Sequence, residues 1–489
     1  MAAASEEHDW KLPPPVWKPQ SLGMAIPPGP HACSVAMPLW EHNVGYEEGD
    51  EAVISKFNAG YPRFFVNPLV TQLKSEIAAE LNLDPAATQL APSQQSAQRA
   101  AGYVAHRTEQ ESEVIRTRFG VWLVRTNAIG APALQEFWQH AGEVVSSRTA
   151  SRCLDGDEQV ISATESKREV RERVAALQHV DPDDVYLFPS GMAAIYAAWR
   201  ITNANGRCVQ YGFPYVDTFK ILQRFGTTRP LLLLDSKHLG TGGERYSAVF
   251  CEVPGNPLLT VPNLPMLRES SNRRGLALVV DDTLGAMINT DVRPYADLIA
   301  TSLTKFFSGA GDVLAGSLIV VPGQPRYDEF KQALENDYED LLSDEDANVL
   351  AANSADAVQR VHRINSTAMT LARTLRKHPN VARVFYPDEN EAAFNAVRDT
   401  TFEVGYGGLM SVLLREPAIR APKAYDALQV TKGPNLGTNF TLCCPYTILA
   451  HYHELDFAEQ CGVSRYLLRI SVGVEDPDWL TEHILAAIA

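Results

Sequence analysis

The chain has 489 residues, of which 45% are hydrophobic and 21% are charged, and its formal net charge at pH 7 is −16. This composition is typical of a soluble globular protein that is long enough for more than one domain. The acidic balance argues against a nucleic acid or an anionic membrane as a partner, because both bind basic surfaces. No apolar run approaches the length of a membrane span.

The chain contains seven cysteines, and none of them forms a zinc-type CxxC pair. Cys443 and Cys444 are adjacent, a spacing that suits metal ligation poorly. We therefore expect reduced, buried thiols in a cytoplasmic protein and no metal site. The acidic, proline-rich N-terminal segment lacks the basic and apolar regions of a secretory signal, which agrees with this expectation.

The first 60 residues are rich in proline and glycine and contain scattered tryptophans. This texture predicts an extended arm that packs on another surface, for example a neighbouring subunit, rather than a domain with its own core. Further along, apolar spacing predicts a helix over Leu69–Leu83 and a strand over Phe119–Val124. The intervening segment Ala91–Ala101 is predicted to be a loop or a weak helix.

From residue 164 onward, predicted helices and strands alternate. Helical patterns cover Thr164–Leu177, Ser190–Ile201, Val216–Phe225 and Leu264–Arg274. Continuous apolar runs predict strands at Val185–Phe188, Arg207–Tyr211, Pro230–Asp235, Ala248–Val253, Leu276–Asp282, Asp297–Leu303 and Gly316–Val321. Buried strands separated by helices indicate an α/β fold with a mostly parallel sheet, which binds ligands beyond the C-terminal ends of its strands.

Beyond residue 330 the pattern changes. A long helical stretch is predicted over Asp337–Lys377. Strands are then predicted within 381–387, 408–414 and 466–476, before a short closing helix. This order of elements predicts a smaller α+β domain at the C-terminus.

Lys305 lies among Ser302, Thr304 and Ser308 and is followed by glycines. A lysine is commonly either a solvated surface charge or a buried amine that condenses with a carbonyl group. The hydroxyl groups, glycines and phenylalanines around Lys305 favour the second use, because they would desolvate the amine.

Two other predicted strands end in polar residues. Ser190 and Gly191 connect a strand to a helix, where backbone N–H groups can bind a phosphate, although a plain N-cap serine is the usual meaning of such a pair. Asp281 and Asp282 follow a buried strand and point to opposite faces. We favour Asp281 as a carboxylate that faces a cation and Asp282 as the acceptor of structural hydrogen bonds.

Arg469 interrupts a third apolar strand. A buried arginine requires an anion as its partner. An internal salt bridge and a clamp on the carboxylate of a substrate explain this residue equally well at this point.

The segments SGMAAI, VPGNP, VVDDT, S-x-T-K-x-x-S-G and LRISVGVED occur in this order along the chain. Together they resemble the Cys/Met-metabolism family of pyridoxal-phosphate (PLP) enzymes, the fold-type I group that contains cystathionine γ-synthase, cystathionine γ-lyase and methionine γ-lyase. Residues 433–455 and the segment GYPRFF resemble the fungal-type cystathionine γ-synthase branch in particular. The resemblance covers residues 60–67 and 170–489.

The resemblance implies an organisation for the chain. An extended arm at 1–60 would precede a PLP-binding α/β domain at 61–330, and a C-terminal α+β domain would follow at 331–489. Tyr61 and Ser190 are much further apart than is usual in the family. Residues 68–160 are therefore predicted to be an insertion that forms an extra lobe at the entrance of the site.

The resemblance also implies roles for individual residues. Lys305 would bind the cofactor covalently and act as the base, Asp281 would pair with the ring nitrogen, and Tyr211 would stack on the ring and assist catalysis. Further cofactor contacts would come from Ser190, Gly191, Met192, Asn256, Thr283, Ser302 and Thr304, and from Tyr61 and Arg63 of a neighbouring subunit. Substrate contacts would come from Arg469, Asn435 and Tyr215, the last of which is also a rival to Tyr211 for the stacking position.

The implied reaction is γ-replacement on an O-acyl-L-homoserine through a vinylglycine ketimine, with cysteine as the nucleophile. One alternative is a biosynthetic enzyme that forms a C–C or C–N bond with a carbonyl-derived nucleophile, and another is a γ-lyase that degrades sulfur amino acids. The family pattern changes at residues 309–312 and 435–437, which leaves the second substrate open. The family also implies a homodimer or homotetramer with shared active sites, which acts on small molecules and has no nucleic-acid or membrane partner.

Overall fold

The computed structural model describes residues 10–61, 64–157, 161–202, 207–226, 228–234, 246–402 and 405–489. Within these ranges the strands form a seven-stranded, a five-stranded and a three-stranded sheet. The helices are α1 (Trp40–Glu47), α2 (Glu51–Ile54), α3 (Pro68–Glu80), α4 (Gln94–Thr108), α5 (Ala131–Ala141), α6 (Ser147–Leu154), α7 (Thr164–Leu177), α8 (Gly191–Thr202), α9 (Val216–Arg224), α10 (Leu264–Arg274), α11 (Tyr327–Asp337), α12 (Asp344–Asn353), α13 (Ala357–Leu375), α14 (Glu391–Asn395), α15 (Pro417–Ala427), α16 (Tyr446–His451), α17 (Leu455–Gln460) and α18 (Pro477–Ile488).

The strands are β1 (Thr88–Ala91), β2 (Glu113–Arg116), β3 (Trp122–Arg125), β4 (Val185–Phe188), β5 (Arg207–Tyr211), β6 (Leu231–Leu233), β7 (Tyr246–Glu252), β8 (Ala277–Asp281), β9 (Leu298–Thr301), β10 (Gly316–Val320), β11 (Val381–Phe385), β12 (Leu409–Leu414), β13 (Thr431–Lys432), β14 (Leu442–Pro445) and β15 (Leu468–Ser471). The order of the seven-stranded sheet is β4-β10-β9-β8-β7-β5-β6, and β5 to β9 pair in parallel while β10 is antiparallel to both neighbours. The prediction of a mostly parallel α/β sheet is thus confirmed.

The parallel strands bring the predicted polar positions to one edge of this sheet. In the register of β7, β8 and β9, Glu252 lies opposite Asp281, and Asp281 lies opposite Ala300. The residues that follow these strands therefore meet at the carboxyl edge, where ligands bind in open α/β sheets.

The inserted residues 68–160 contain β1, β2 and β3, which form an antiparallel sheet, together with α3 to α6. Tyr103 and Phe137 of this segment pack their rings against Phe225 and Tyr196 of the central α/β layer. The segment thus has its own sheet and also covers α8 and α9, and we propose that it is a distinct lobe.

Two helix predictions were wrong in their boundaries. Residues 94–108 form the regular helix α4, because Ser93 caps it by accepting a hydrogen bond from Ser96 N at 3.1 Å and its alanine-rich face is buried. The long stretch 337–377 is divided between the end of α11, α12 and α13. Ser343 caps α12 by accepting a hydrogen bond from Asp346 N at 3.1 Å, which starts a new helix inside the charged run.

The N-terminal arm is less extended than predicted, since it contains α1 and α2. It packs on the C-terminal domain of its own chain, where Met37 N donates to Lys432 O at 3.2 Å and Lys432 N donates to Val16 O at 3.0 Å. Val35 and Met37 are fully buried there. The surface that receives the arm is therefore present within one chain.

The C-terminal sheet has the order β11-β12-β15-β14-β13 and is antiparallel except for the pair β13–β14. Arg469 lies on the central strand β15, opposite Cys444 of β14 and Ser411 of β12. In the part of the chain that the structure describes, no helix is long and apolar enough to cross a membrane.

Candidate active site

A cavity of about 130 Å³ lies at the carboxyl edge of the central sheet, between the α/β domain, the N-terminal arm and the C-terminal sheet. It brings together most of the predicted site residues. Those that line it are Tyr61, Ser190, Gly191, Met192, Tyr215, Asn256, Asp281, Thr283, Ser302, Thr304, Lys305, Asn435 and Arg469.

Lys305 reaches this cavity from the loop after β9, and its Nζ donates a hydrogen bond to Asn435 Oδ1. The loop that carries Asn435 approaches Lys305 very closely. A Cβ atom at Gly437, where φ is +71°, would lie 2.7 Å from Phe306 N and 2.9 Å from Lys305 Cβ. Glycine is therefore required at position 437, and the altered segment 435–437 contacts the lysine directly.

The N-terminus of α8 forms the anion-binding end of the cavity. Gly191 lies against Ser302, and a Cβ atom on Gly191 would be 2.6 Å from Ser302 Cβ. The hydroxyl of Ser190 caps the helix by accepting a hydrogen bond from Ala193 N at 3.1 Å, and it donates to Gly142 O of the inserted lobe at 2.8 Å. The N–H groups of Gly191 and Met192 belong to the first helical turn, which has no intrahelical acceptors.

Thr304 and Thr283 hold the loops of the site in place. Thr304 Oγ1 accepts a hydrogen bond from Ala315 N at 3.0 Å and donates to Ala315 O at 3.3 Å. Thr283 Oγ1 accepts a hydrogen bond from Ser302 N at 2.8 Å. Of the predicted phosphate hydroxyls, that of Thr304 is therefore engaged with the backbone, whereas Ser302 faces Gly191.

The two adjacent aspartates are used differently. Asp281 ends β8 and lines the cavity, and its Oδ1 accepts a hydrogen bond from Thr283 N at 2.9 Å. Burial raises the pKa of its carboxyl group, and a cation in the cavity would favour its ionised form. Asp282 is fully buried and accepts hydrogen bonds from Gln178 Nε2 at 3.0 Å and from Thr290 Oγ1.

Glu252 is a cavity residue that the sequence analysis missed. It ends β7 beside Asp281, and its two carboxyl oxygens accept hydrogen bonds from the backbone N–H groups of Tyr215 and Asn256. Burial and the nearby Asp281 raise the pKa of Glu252 to about 8. The signal in the sequence that could have indicated Glu252 is its position as an acid at the end of an apolar strand, shortly before Pro254 and the Asn256-Pro257 pair.

The raised pKa of Glu252 predicts how stability depends on pH. The carboxyl group has a pKa near 4.5 when unfolded and about 8 when folded, so the folded protein binds more protons between these values. We expect the free energy of unfolding of the cofactor-free protein to decrease as pH rises from about 5 to about 8, and Glu252→Gln to weaken this decrease. Urea denaturation at the two pH values measures this change in the free energy of unfolding. The exposed Glu335→Gln is the control, and equal slopes for wild type and Glu252→Gln would contradict the assignment.

Of the two tyrosines considered for the stacking position, Tyr215 lies in the cavity wall and Tyr211 does not. Tyr211 ends β5 and packs against the main hydrophobic core, outside the cavity wall. Tyr215 lies four positions later, after the turn at Gly212, and lines the cavity. The Glu252 carboxylate fixes this turn through Tyr215 N. Strand alternation alone could not show which of the two tyrosines follows the turn into the site.

Tyr61 lines the cavity of its own chain. The expectation that a neighbouring subunit supplies this tyrosine stays a prediction. Its N–H donates to Phe65 O at 3.0 Å, and its ring stacks on Phe64 with centroids 4.6 Å apart. The arm can reach this position because it pairs with the C-terminal sheet of the same chain. Arg63 lies outside the described residues.

Arg469 is 5% exposed and is held by neutral acceptors. Nη2 donates to Pro434 O at 2.7 Å and to Asn435 O at 3.4 Å, and Nη1 donates to Asn256 Oδ1 at 3.4 Å. Among the residues that the structure describes, no carboxylate forms a salt bridge with this guanidinium. Of the two explanations left open by the sequence, the geometry favours an anionic ligand over an internal salt bridge.

These groups fit the cofactor that the motifs imply. The close contact between Gly191 and Ser302 leaves backbone N–H groups that could bind a phosphate. The half-buried Asp281 suits a protonated ring nitrogen, and the amine of Lys305 suits condensation with the carbonyl carbon of the cofactor. Tyr215 provides an aromatic face in the same cavity. In the part of the chain that is described, no group of His, Cys, Asp and Glu side chains forms a metal site.

Comparisons with known proteins agree with this geometry. The model of the family described as Cys/Met metabolism PLP-dependent enzyme matches residues 161–489. The chain is 33% identical to a cystathionine γ-synthase of Neurospora crassa, over 96% of this chain and 98% of that protein. It is 34% identical to the cystathionine γ-synthase-like protein ankD of Aspergillus thermomutatus, over 96% and 94% of the two chains.

A solved structure shows the same fold. The cystathionine γ-synthase of Xanthomonas oryzae pv. oryzae, in complex with cystathionine, superposes with a TM-score of 0.60 at 22% identity, over 68% of this chain and 88% of that chain. The predicted fold-type I architecture and the PLP cofactor are therefore confirmed. The chain belongs to the Cys/Met metabolism PLP-dependent enzyme family and is an enzyme of the cystathionine γ-synthase type.

Proposed function

We propose that this enzyme catalyses γ-replacement on an O-acyl-L-homoserine. The observation that carries the proposal is the buried Arg469, which has no carboxylate partner among the described residues and lies in the same cavity as Lys305 and Asp281. A bidentate guanidinium suits the α-carboxylate of an amino acid. Lys305 and Asp281 line the same cavity, in which the α-carbon of that amino acid would react.

The bound cofactor supplies an electron sink for carbon acids next to the substrate nitrogen. Lys305 Nζ would carry protons between the substrate carbons, because it is the amine that reaches the cavity and Asn435 Oδ1 holds it in place. Asp281 would keep the proton on the ring nitrogen, and Tyr215 would stack on the ring. Arg469 would orient the substrate through its carboxylate.

The nucleophile that we propose is cysteine, on the similarity to cystathionine γ-synthases over nearly the whole chain. One observation favours a second candidate, a carbonyl-derived nucleophile without a carboxylate. Among the cavity residues that the structure describes, only Lys305 and Arg469 are cationic, and the remaining wall is largely apolar, with Phe64, Val216 and Leu449. Within the described part of this wall, a second carboxylate, such as that of cysteine, would have no cationic partner apart from Lys305 and Arg469.

Product analysis tests both candidates. The PLP-loaded enzyme is incubated with O-acetyl-, O-succinyl- or O-phospho-L-homoserine and with cysteine, a neutral alkyl thiol or an enolisable ketone, and the products are identified by mass spectrometry. We expect a product in which the nucleophile has replaced the acyloxy group. Release of a 2-oxo acid and ammonia with every nucleophile would instead identify a γ-lyase and contradict the proposal.

A further inference from the structure

Tyr446 lies beside Arg469 in the active-site cavity, and none of the motifs assigned it a role. It begins α16 immediately after β14, is 3% exposed and lines the cavity wall. The guanidinium carbon of Arg469 is 4.9 Å from the centre of its ring. Among the described residues, its hydroxyl group has no hydrogen-bond partner. A buried hydroxyl without a partner is unfavourable, so this one is available to a ligand.

Asn435 provides a second polar group of the same kind. It is 5% exposed, and its Oδ1 is occupied by Lys305 Nζ, whereas its Nδ2 has no hydrogen-bond partner in the described part of the chain. Its backbone carbonyl accepts a hydrogen bond from Arg469 at 3.4 Å. Two residues that contact one buried guanidinium, Tyr446 and Asn435, thus each carry a polar group without a partner among the described residues.

The chemistry of these groups identifies the ligand that they fit. Burial raises the pKa of the Tyr446 hydroxyl well above its usual range, so it keeps its proton and can donate it in a hydrogen bond. The side-chain amide nitrogen of asparagine is also a donor, and arginine adds a positive charge. A carboxylate has two oxygens with about four acceptor positions, which can satisfy all three donors at once.

We propose that Tyr446 Oη and Asn435 Nδ2 donate hydrogen bonds to the substrate α-carboxylate that Arg469 binds, and that Tyr446 is a specificity-determining residue for amino-acid substrates. This inference rests on the proposed function, because it requires an amino acid in the cavity. It extends the carboxylate site from one arginine to three donors that come from β15, the 435–437 loop and the start of α16.

The test compares two amines that differ by a carboxylate. Glycine and methylamine are titrated into the PLP-loaded enzyme, and their binding is followed by the change in visible absorbance of the cofactor. For Tyr446→Phe, we expect the apparent Kd for glycine to rise by about tenfold to a hundredfold, the usual effect of one hydrogen bond to a charged group, and the Kd for methylamine to change by less than about twofold. Tyr466→Phe, which changes a tyrosine outside the cavity, is the control and should leave both constants unchanged.

Equal effects of Tyr446→Phe on the two amines, or no effect on either, would overturn the inference. A stability measurement excludes a merely structural role for the hydroxyl. Since no described residue forms a hydrogen bond with this hydroxyl, Tyr446→Phe should leave the Tm of the cofactor-free protein unchanged or raise it, and a clear decrease would contradict the proposal. If the wild-type spectrum changes with neither amine, the proposed function itself fails, which is a different result from a wild-type response that Tyr446→Phe leaves intact.

Discussion

Lys305→Ala abolishes γ-replacement, with an expected loss of more than about a thousandfold in turnover, while the fold is retained. The reason is that Lys305 is the amine of the cavity that can both bind the cofactor covalently and carry protons, and Asn435 alone cannot replace it. The visible absorbance of the lysine-bound cofactor should disappear together with the activity. The measurements are a steady-state assay, an absorbance spectrum and a thermal denaturation curve.

Lys423→Ala is the matched control for this prediction. Lys423 is exposed on α15, away from the cavity, so its loss should change neither the spectrum nor the turnover. Turnover that survives in Lys305→Ala, together with an unchanged cofactor spectrum, would show that another amine binds the cofactor and would remove the basis of the site assignment.

Tyr61→Ala and Lys305→Ala do not rescue one another when the two variants are combined. Tyr61 lines the cavity of its own chain, so the defects lie in the same site and a hybrid of the two chains contains no intact site. We expect Tyr61→Ala alone to lose roughly a hundredfold in turnover, because the aromatic wall at the entrance is removed. Co-expression of the variants with different tags, followed by isolation of any hybrid, measures the recovery.

This experiment distinguishes the arrangement in the structure from the shared sites that the family resemblance implied. If a neighbouring subunit supplied Tyr61, a hybrid would contain intact sites and would regain a substantial part of the wild-type turnover. Lys305→Ala combined with Asp281→Ala is the negative control, since both residues belong to the same α/β domain in either arrangement. Recovery confined to the Tyr61 combination would contradict a site completed within one chain.

Much of the central sheet was predictable because its strands are buried on both faces. The bounds of β4, β5, α7 and α10 were predicted to the residue, and β4, β5 and α10 end directly before Pro189, Gly212 and Gly275. The helix at residues 94–108 was less clear, because alanine, glutamine and serine give weak periodicity and its burial depends on the inserted lobe.

The parts of the site that could not be predicted depend on contacts between distant segments. The choice between Tyr211 and Tyr215 depends on a turn that Glu252 fixes from the neighbouring strand. The place of Tyr61 depends on how the N-terminal arm packs against β13. This packing joins residues that are far apart in the sequence, such as Met37 and Lys432. The unpartnered hydroxyl of Tyr446 is visible only once burial and hydrogen bonds are known.

The central claim, bond formation at Cγ of an acylated homoserine, is tested most directly with a carbon-13 label at that carbon. The PLP-loaded enzyme is incubated with labelled O-acyl-L-homoserine and a nucleophile that is accepted in the product analysis, and the reaction is followed by NMR. We expect the labelled carbon to lose its ester oxygen and become bonded to the nucleophile, with release of one equivalent of the acyl acid. Acyl release that leaves the label in a 2-oxo acid, or no release at all, would contradict the account.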